Sequence, residues 1–148
     1  MTLKRDSLER NTATLNIIIS QTRGLAQMLA SCLGEEPIIR EALITIEAAR
    51  IVFKNRATRE FQYRRGLVAM ACHSGVQAAQ TLLDYFQCTP LLSDDERAAI
   101  RRDAHRSDKK KFFQKSMSTY LCDESTPLAL RLETVREVLS AWYEWYAG

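Results

Sequence analysis

Glycine and proline are scarce in this chain of 148 residues: five and three respectively. Strands need turns, and tight turns draw on those two residue types. A β-rich fold is therefore disfavoured, and the abundance of Ala, Leu, Arg and Glu points to helices. Long apolar runs are also absent. Stretches such as Ile17-Ile18-Ile19 fall far short of the roughly 20 residues that cross a bilayer. The opening Met1-Thr2-Leu3-Lys4-Arg5-Asp6 lacks the apolar stretch of a secretory signal, so a cytoplasmic location is expected, with no membrane partner. Histidine occurs only twice, and the four cysteines (Cys32, Cys72, Cys88, Cys122) form no CxxC pair. Reduced thiols in or near a core are expected, with no metal and no cofactor.

What is present reads as helix after helix. The first is expected over Leu3 to Leu33, with Leu8, Leu15, Ile18, Leu25 and Leu29 near one face and Gly34 at the C-terminal stop. Gly24 inside it marks a bend or a close contact. Pro37 opens the second helix at its favoured first position, and Ile39, Leu43, Ile46, Ala49 and Phe53 form one stripe. A third is expected over Thr58 to Gln87, ended by Thr89-Pro90. Its small residues (Ala69, Ala71, Gly75, Ala78, Ala79) predict close packing against a neighbour. Ser93-Asp94-Asp95-Glu96 is a capping box opening a polar helix to about Arg106. Another short helix is expected over Lys109 to Leu121. Ser125-Thr126-Pro127 starts the last, where Leu128, Leu132, Val135, Leu139, Trp142 and Tyr146 recur at spacings of 4, 3, 4, 3 and 4. The expected fold is all-α: residues 1–148 form one domain, an antiparallel bundle of five or six helices with short loops. The first helix is longer than so small a domain needs, which is compatible with homo-oligomerisation.

Positive charge is segregated. Between Arg50 and Arg65 lie Arg50, Lys54, Arg56, Arg59, Arg64 and Arg65 against Glu60 alone. Between Arg101 and Lys115 lie Arg101, Arg102, Arg106, Lys109, Lys110, Lys111 and Lys115 against Asp103 and Asp108. Each segment carries a surplus of five, so with a net charge of +3 the rest of the chain sums to −7. These thirteen cations are the candidate nucleic-acid contacts, because Lys and Arg on phosphates release counterions and give sequence-independent affinity. Phe61, Tyr63, Phe112 and Phe113 lie within the same runs, and exposed aromatics can stack on bases. The competing reading makes the cations a solvated surface and the aromatics core anchors. At the C-terminus, Tyr143 and Trp145 point away from the stripe and are candidate protein-interface anchors; the competing reading has Trp145 covering the end of the bundle.

No catalytic residue can be nominated. Cys72 and His73 are helix neighbours pointing about 100° apart, and His105 lies among arginines. HExxH, GxSxG and Walker-type glycine loops are missing. The expectation is a protein that binds rather than catalyses.

Three stretches resemble a known family. Ile46-Glu47-Ala48-Ala49-Arg50 is similar to an early arginine-alanine helix. Tyr63-Arg64-Arg65, with Gly75 and Leu82-Leu83 through Phe86, is similar to a helix in which a tyrosine, a glycine and a leucine-phenylalanine segment recur. Leu130 to Tyr146 resembles a closing helix with a late tryptophan. The family is the small helical subunits of multisubunit CRISPR effector complexes, especially type III. Met70-Ala71-Cys72 stands where that family carries a proline, and the first 35 residues have no counterpart. The resemblance implies copies stacked in a ribonucleoprotein assembly beside other protein subunits. Their basic faces would hold RNA, an RNA–RNA or RNA–DNA duplex, or a displaced strand by its phosphates, and would cut nothing. From the charge pattern, Arg56, Arg59, Arg64, Arg65 and Lys109 to Lys111 are the foremost contacts. The main alternative is a helical protein-binding adaptor (a secretion chaperone, a phage-encoded inhibitor or a regulatory subunit) that uses an apolar groove or the aromatic terminus. A DNA-binding regulator is a third reading, weakened because no short helix and tight turn precede the Ser93 to Arg106 helix.

Overall fold

The computed structural model describes residues 2–33, 36–54, 65–105 and 117–148, in which every regular element is a helix. They are α1 (Thr2–Leu33), α2 (Pro37–Lys54), α3 (Arg65–Tyr85), α4 (Asp94–His105), α5 (Met117–Leu121) and α6 (Leu128–Ala147). None of them is long and apolar enough to cross a membrane. The fold is an all-α helical bundle.

The core is where the apolar stripes meet. Ile39, Leu43, Ile46, Ala49 and Phe53 of α2 are all buried, as are Leu132, Val135, Leu139 and Trp142 of α6. Between these two helices runs α3, antiparallel to both. Its small residues make this possible: a Cβ added at Gly75 would lie 2.7 Å from Leu139 Cδ1 and 3.1 Å from Ala49 Cβ. Glycine here lets α2, α3 and α6 approach closely, as the small-residue pattern predicted. Gly24 differs, since nothing lies within 4 Å of where its Cβ would be; of the bend or close contact expected there, the close contact is not made. Helix α1 returns along α2, with Leu15, Ile18 and Leu29 buried. At 1.5 Å per residue, its 32 residues extend about 48 Å against about 27 Å for the 18 of α2.

Helix α3 stops at Tyr85, short of the expected Gln87, because Gln87 adopts φ 51°. That left-handed residue lets Cys88 N–H reach back to the Leu83 carbonyl at 2.9 Å, a Schellman-type closure made without glycine. The Ser93 capping box forms as read, with Ser93 N–H donating to Glu96 Oε1 and Glu96 N–H to Ser93 Oγ, both at 3.2 Å. At the start of α6, Ser125 and Thr126 turn instead to the Asp123 carboxylate, and Pro127 opens the helix with no side-chain cap. Buried Arg131 ties α5 to α6 by donating to the Leu121 carbonyl. The Gly34 stop, the Thr58 start of the third helix and the Lys109 start of the short helix lie outside the described residues.

Candidate nucleic-acid interface

Helix α4 climbs α6 in the same direction. Arginines at successive turns of α4 meet carboxylates at successive turns of α6: Arg97 with Glu133 at 3.6 Å, and Arg101 with Glu137 at 3.9 Å and with Glu144. The carboxylate of Glu133, almost wholly buried, also accepts the Leu91 N–H at 2.7 Å. The bond to Glu144 holds the Arg101 guanidinium above its ordinary range, opposed by burial. At the top of α4, the Ala104 carbonyl accepts from Trp142 Nε1 at 3.1 Å.

Trp142 is the hub of this end. Its ring stacks on Phe53 of α2, with centroids 3.6 Å apart and planes at 3°. One turn on, Tyr146 meets Phe53 edge-on at 5.9 Å, and the Arg65 guanidinium lies over the Tyr146 ring at 5.5 Å. Arg65 Nη2 also donates to the Trp145 carbonyl at 2.7 Å. The last turns of α6 therefore gather the C-terminus of α2, the N-terminus of α3 and the C-terminus of α4. Those are the points from which residues 55–64 depart and return, and from which residues 106–116 depart.

Four of the thirteen candidate cations have described side chains, and they divide. Arg50 donates through Nε and Nη2 to buried Glu47 Oε1 at 2.8 and 2.6 Å. Arg101 is engaged by Glu137 and Glu144. The charges of these two are matched within the fold. Arg65 is exposed, and the groups it touches here, a carbonyl and a ring, carry no formal charge. Arg102 is exposed. The Lys54 side chain and Arg56, Arg59, Arg64, Arg106, Lys109, Lys110, Lys111 and Lys115 lie outside the described residues, as do Phe61, Tyr63, Phe112, Phe113 and the side chain of His105.

Of the two candidate anchors, Tyr143 leans on His73 of α3 with ring centroids 5.1 Å apart. Trp145 is 61% exposed, so the covering of this end falls to Trp142, which is 2% exposed. Elsewhere, sequence spacing hid a thiol contact. Cys122 lies near Cys32, and its pKa is pushed up to about 12, first by burial and then by the neighbouring Cys32 thiol. Cys32 itself is exposed rather than semi-buried. No group of three or more His, Cys, Asp or Glu among the described residues is arranged to hold a metal ion. On the opposite flank, α1, α2 and α3 leave an apolar groove of about 520 Å³, lined among others by Leu15, Ile19, Ile38, Ala42, Met70 and Ala78.

No family model, curated protein or solved structure matches the chain.

Proposed function

We propose that this protein is a non-catalytic nucleic-acid-binding subunit of a ribonucleoprotein assembly, gripping the phosphate backbone through its two basic segments. The observation that carries this reading is the convergence on Trp142, Trp145 and Tyr146: Phe53 and Arg65 bracket the first segment, and Arg101 and Ala104 open the second. The helix ends from which the chain enters residues 55–64 and residues 106–116, where nine of the thirteen cations fall when Lys54 is counted with them, thus lie together. Concentrated charge of this kind attracts a polyanion and gives it salt-sensitive affinity. The likeness to CRISPR effector small subunits supports RNA, free or in a duplex, as the polyanion. The test is fluorescence anisotropy with labelled single-stranded RNA and a duplex of equal length across a salt series. Affinity falls steeply with salt, and reversing Arg64, Arg65 and Lys109 to Lys111 to Glu abolishes it. Salt-independent binding, or reversal without effect, overturns the reading.

The groove between α1, α2 and α3 favours a second reading, a protein-binding adaptor that receives an apolar helix. Under that reading, Ala42→Glu or Ala78→Glu in the groove abolishes partner capture and leaves RNA affinity untouched.

A further inference from the structure

We propose that the outer face of α1, centred on Gly24, is a homodimer interface on which a second copy of this chain lays the same face of its own α1. Ile17, Gly24 and Met28 fall within about 40° of one another around the helix, on the side away from buried Leu15, Ile18 and Leu29. Both large side chains are left in the open, Ile17 58% and Met28 69% exposed. Between them Gly24 leaves the backbone bare, with nothing within 4 Å of where its Cβ would be. A glycine inside a helix forfeits propensity relative to alanine, and among the described residues no neighbouring helix uses the space it opens. A second helix crossing at Gly24 uses it. Two backbones with no side chain between them approach closely, and Ile17 and Met28 close over the crossing from either side.

The charge of α1 identifies the occupant. Residues 14–33 contain one charged residue, Arg23, in a chain that is 26% charged, and its guanidinium lies 4.0 Å from the Glu41 carboxylate of α2. Ser20 and Ser31, exposed alongside Ile17, Gly24 and Met28, are likewise uncharged. Solvated helix faces carry charged and polar residues, whereas the centre of a protein interface is depleted of charge and enriched in Met. A nucleic acid would need cations on this face. A charged partner would find no counter-charge, but two copies of an uncharged face meet without repulsion, and a two-fold axis at Gly24 makes each residue serve both partners. Length fits as well. Helix α1 has 32 residues and α2 has 18, and the two are joined across residues 34–36. The surplus of α1 therefore lies at its N-terminal end, past α2, and gives a second α1 a rod to lie along.

The experiment is sedimentation of the full chain over a concentration series, with circular dichroism checking that each variant keeps its helices. The natural protein passes from monomer to dimer as concentration rises. Ile17→Glu and Met28→Glu, at exposed positions, hold it monomeric. Gly24→Ala separates the crossing from the scaffold. It raises the melting temperature of the dilute monomer, yet weakens dimerisation roughly tenfold or more by putting a methyl where the backbones meet. Ile38→Glu, in the groove between α1, α2 and α3, leaves the dimer intact. A natural protein that stays monomeric at every concentration overturns the proposal, as does a dimer that survives Met28→Glu and Gly24→Ala. If Ile38→Glu dissolves the dimer and the α1 variants do not, the second copy sits in the groove and the proposal falls.

Discussion

Trp142 shows how much one side chain can hold. It fills the end of the core, stacks on Phe53 and satisfies the Ala104 carbonyl, so Trp142→Ala is expected to cost about 3–5 kcal/mol. Trp142→Phe keeps a ring but orphans that carbonyl, at about 1–3 kcal/mol; thermal melts distinguish the two. Cys122 makes a pH prediction. Its thiol is held to about 12 in the fold, against about 8.5 in an unfolded chain. Folding thus favours the protonated form, and that contribution is intact below the unfolded value and lost as pH rises toward the folded one. Urea midpoints should therefore decline above about pH 9 more steeply than in Cys122→Ala. Neither the Cys32–Cys122 contact nor the Gln87 turn could be read from sequence. The first joins residues far apart in the chain, and the second gives a non-glycine residue the conformation usually reserved for glycine. The Arg50–Glu47 pair, by contrast, was legible as a helical i, i+3 spacing, and it takes Arg50 out of the set whose charge is unmatched.

At the scale of helices, Gly24 and Gly75 separate cleanly. Gly24→Ala meets open space, so it should gain up to about 1 kcal/mol of helix propensity. Gly75→Ala gains the same but drives a methyl into Leu139 and Ala49, both fully buried. Overpacking costs about 1–3 kcal/mol, so the net effect is destabilising, and Gly75→Val is worse; chemical denaturation ranks all three. Helix α4 depends on Glu133, which serves Arg97 and the Leu91 N–H from a buried position. Glu133→Ala leaves both donors without it, at about 3 kcal/mol, and hydrogen exchange in residues 94–105 should rise before that of α2 or α3. The apolar stripes of α2 and α6 were legible because each buries one continuous face. The docking of α4 was written less visibly, as Arg97 and Arg101 one turn apart facing Glu133 and Glu137 one turn apart. Matching those pairs requires knowing that the two helices run in the same direction.

For the whole molecule, charge segregation was plain in the sequence, but which helix ends lie together was not. Only packing brings Phe53, Arg65 and Ala104 around the last turns of α6. Phe53 and Arg65 both reach the same tyrosine ring, so the two helix ends that residues 55–64 join lie side by side. A connection of about four residues is enough to join antiparallel neighbouring helices, and a shorter join lowers the entropy lost on closing it. Replacing 55–64 with a four-residue glycine-serine turn should therefore leave the melting temperature nearly unchanged while weakening RNA binding, as paired melts and anisotropy titrations would show. Helix ends this close set no lower limit on the join beyond a short turn, so the ten residues of 55–64 are more than the distance between α2 and α3 requires.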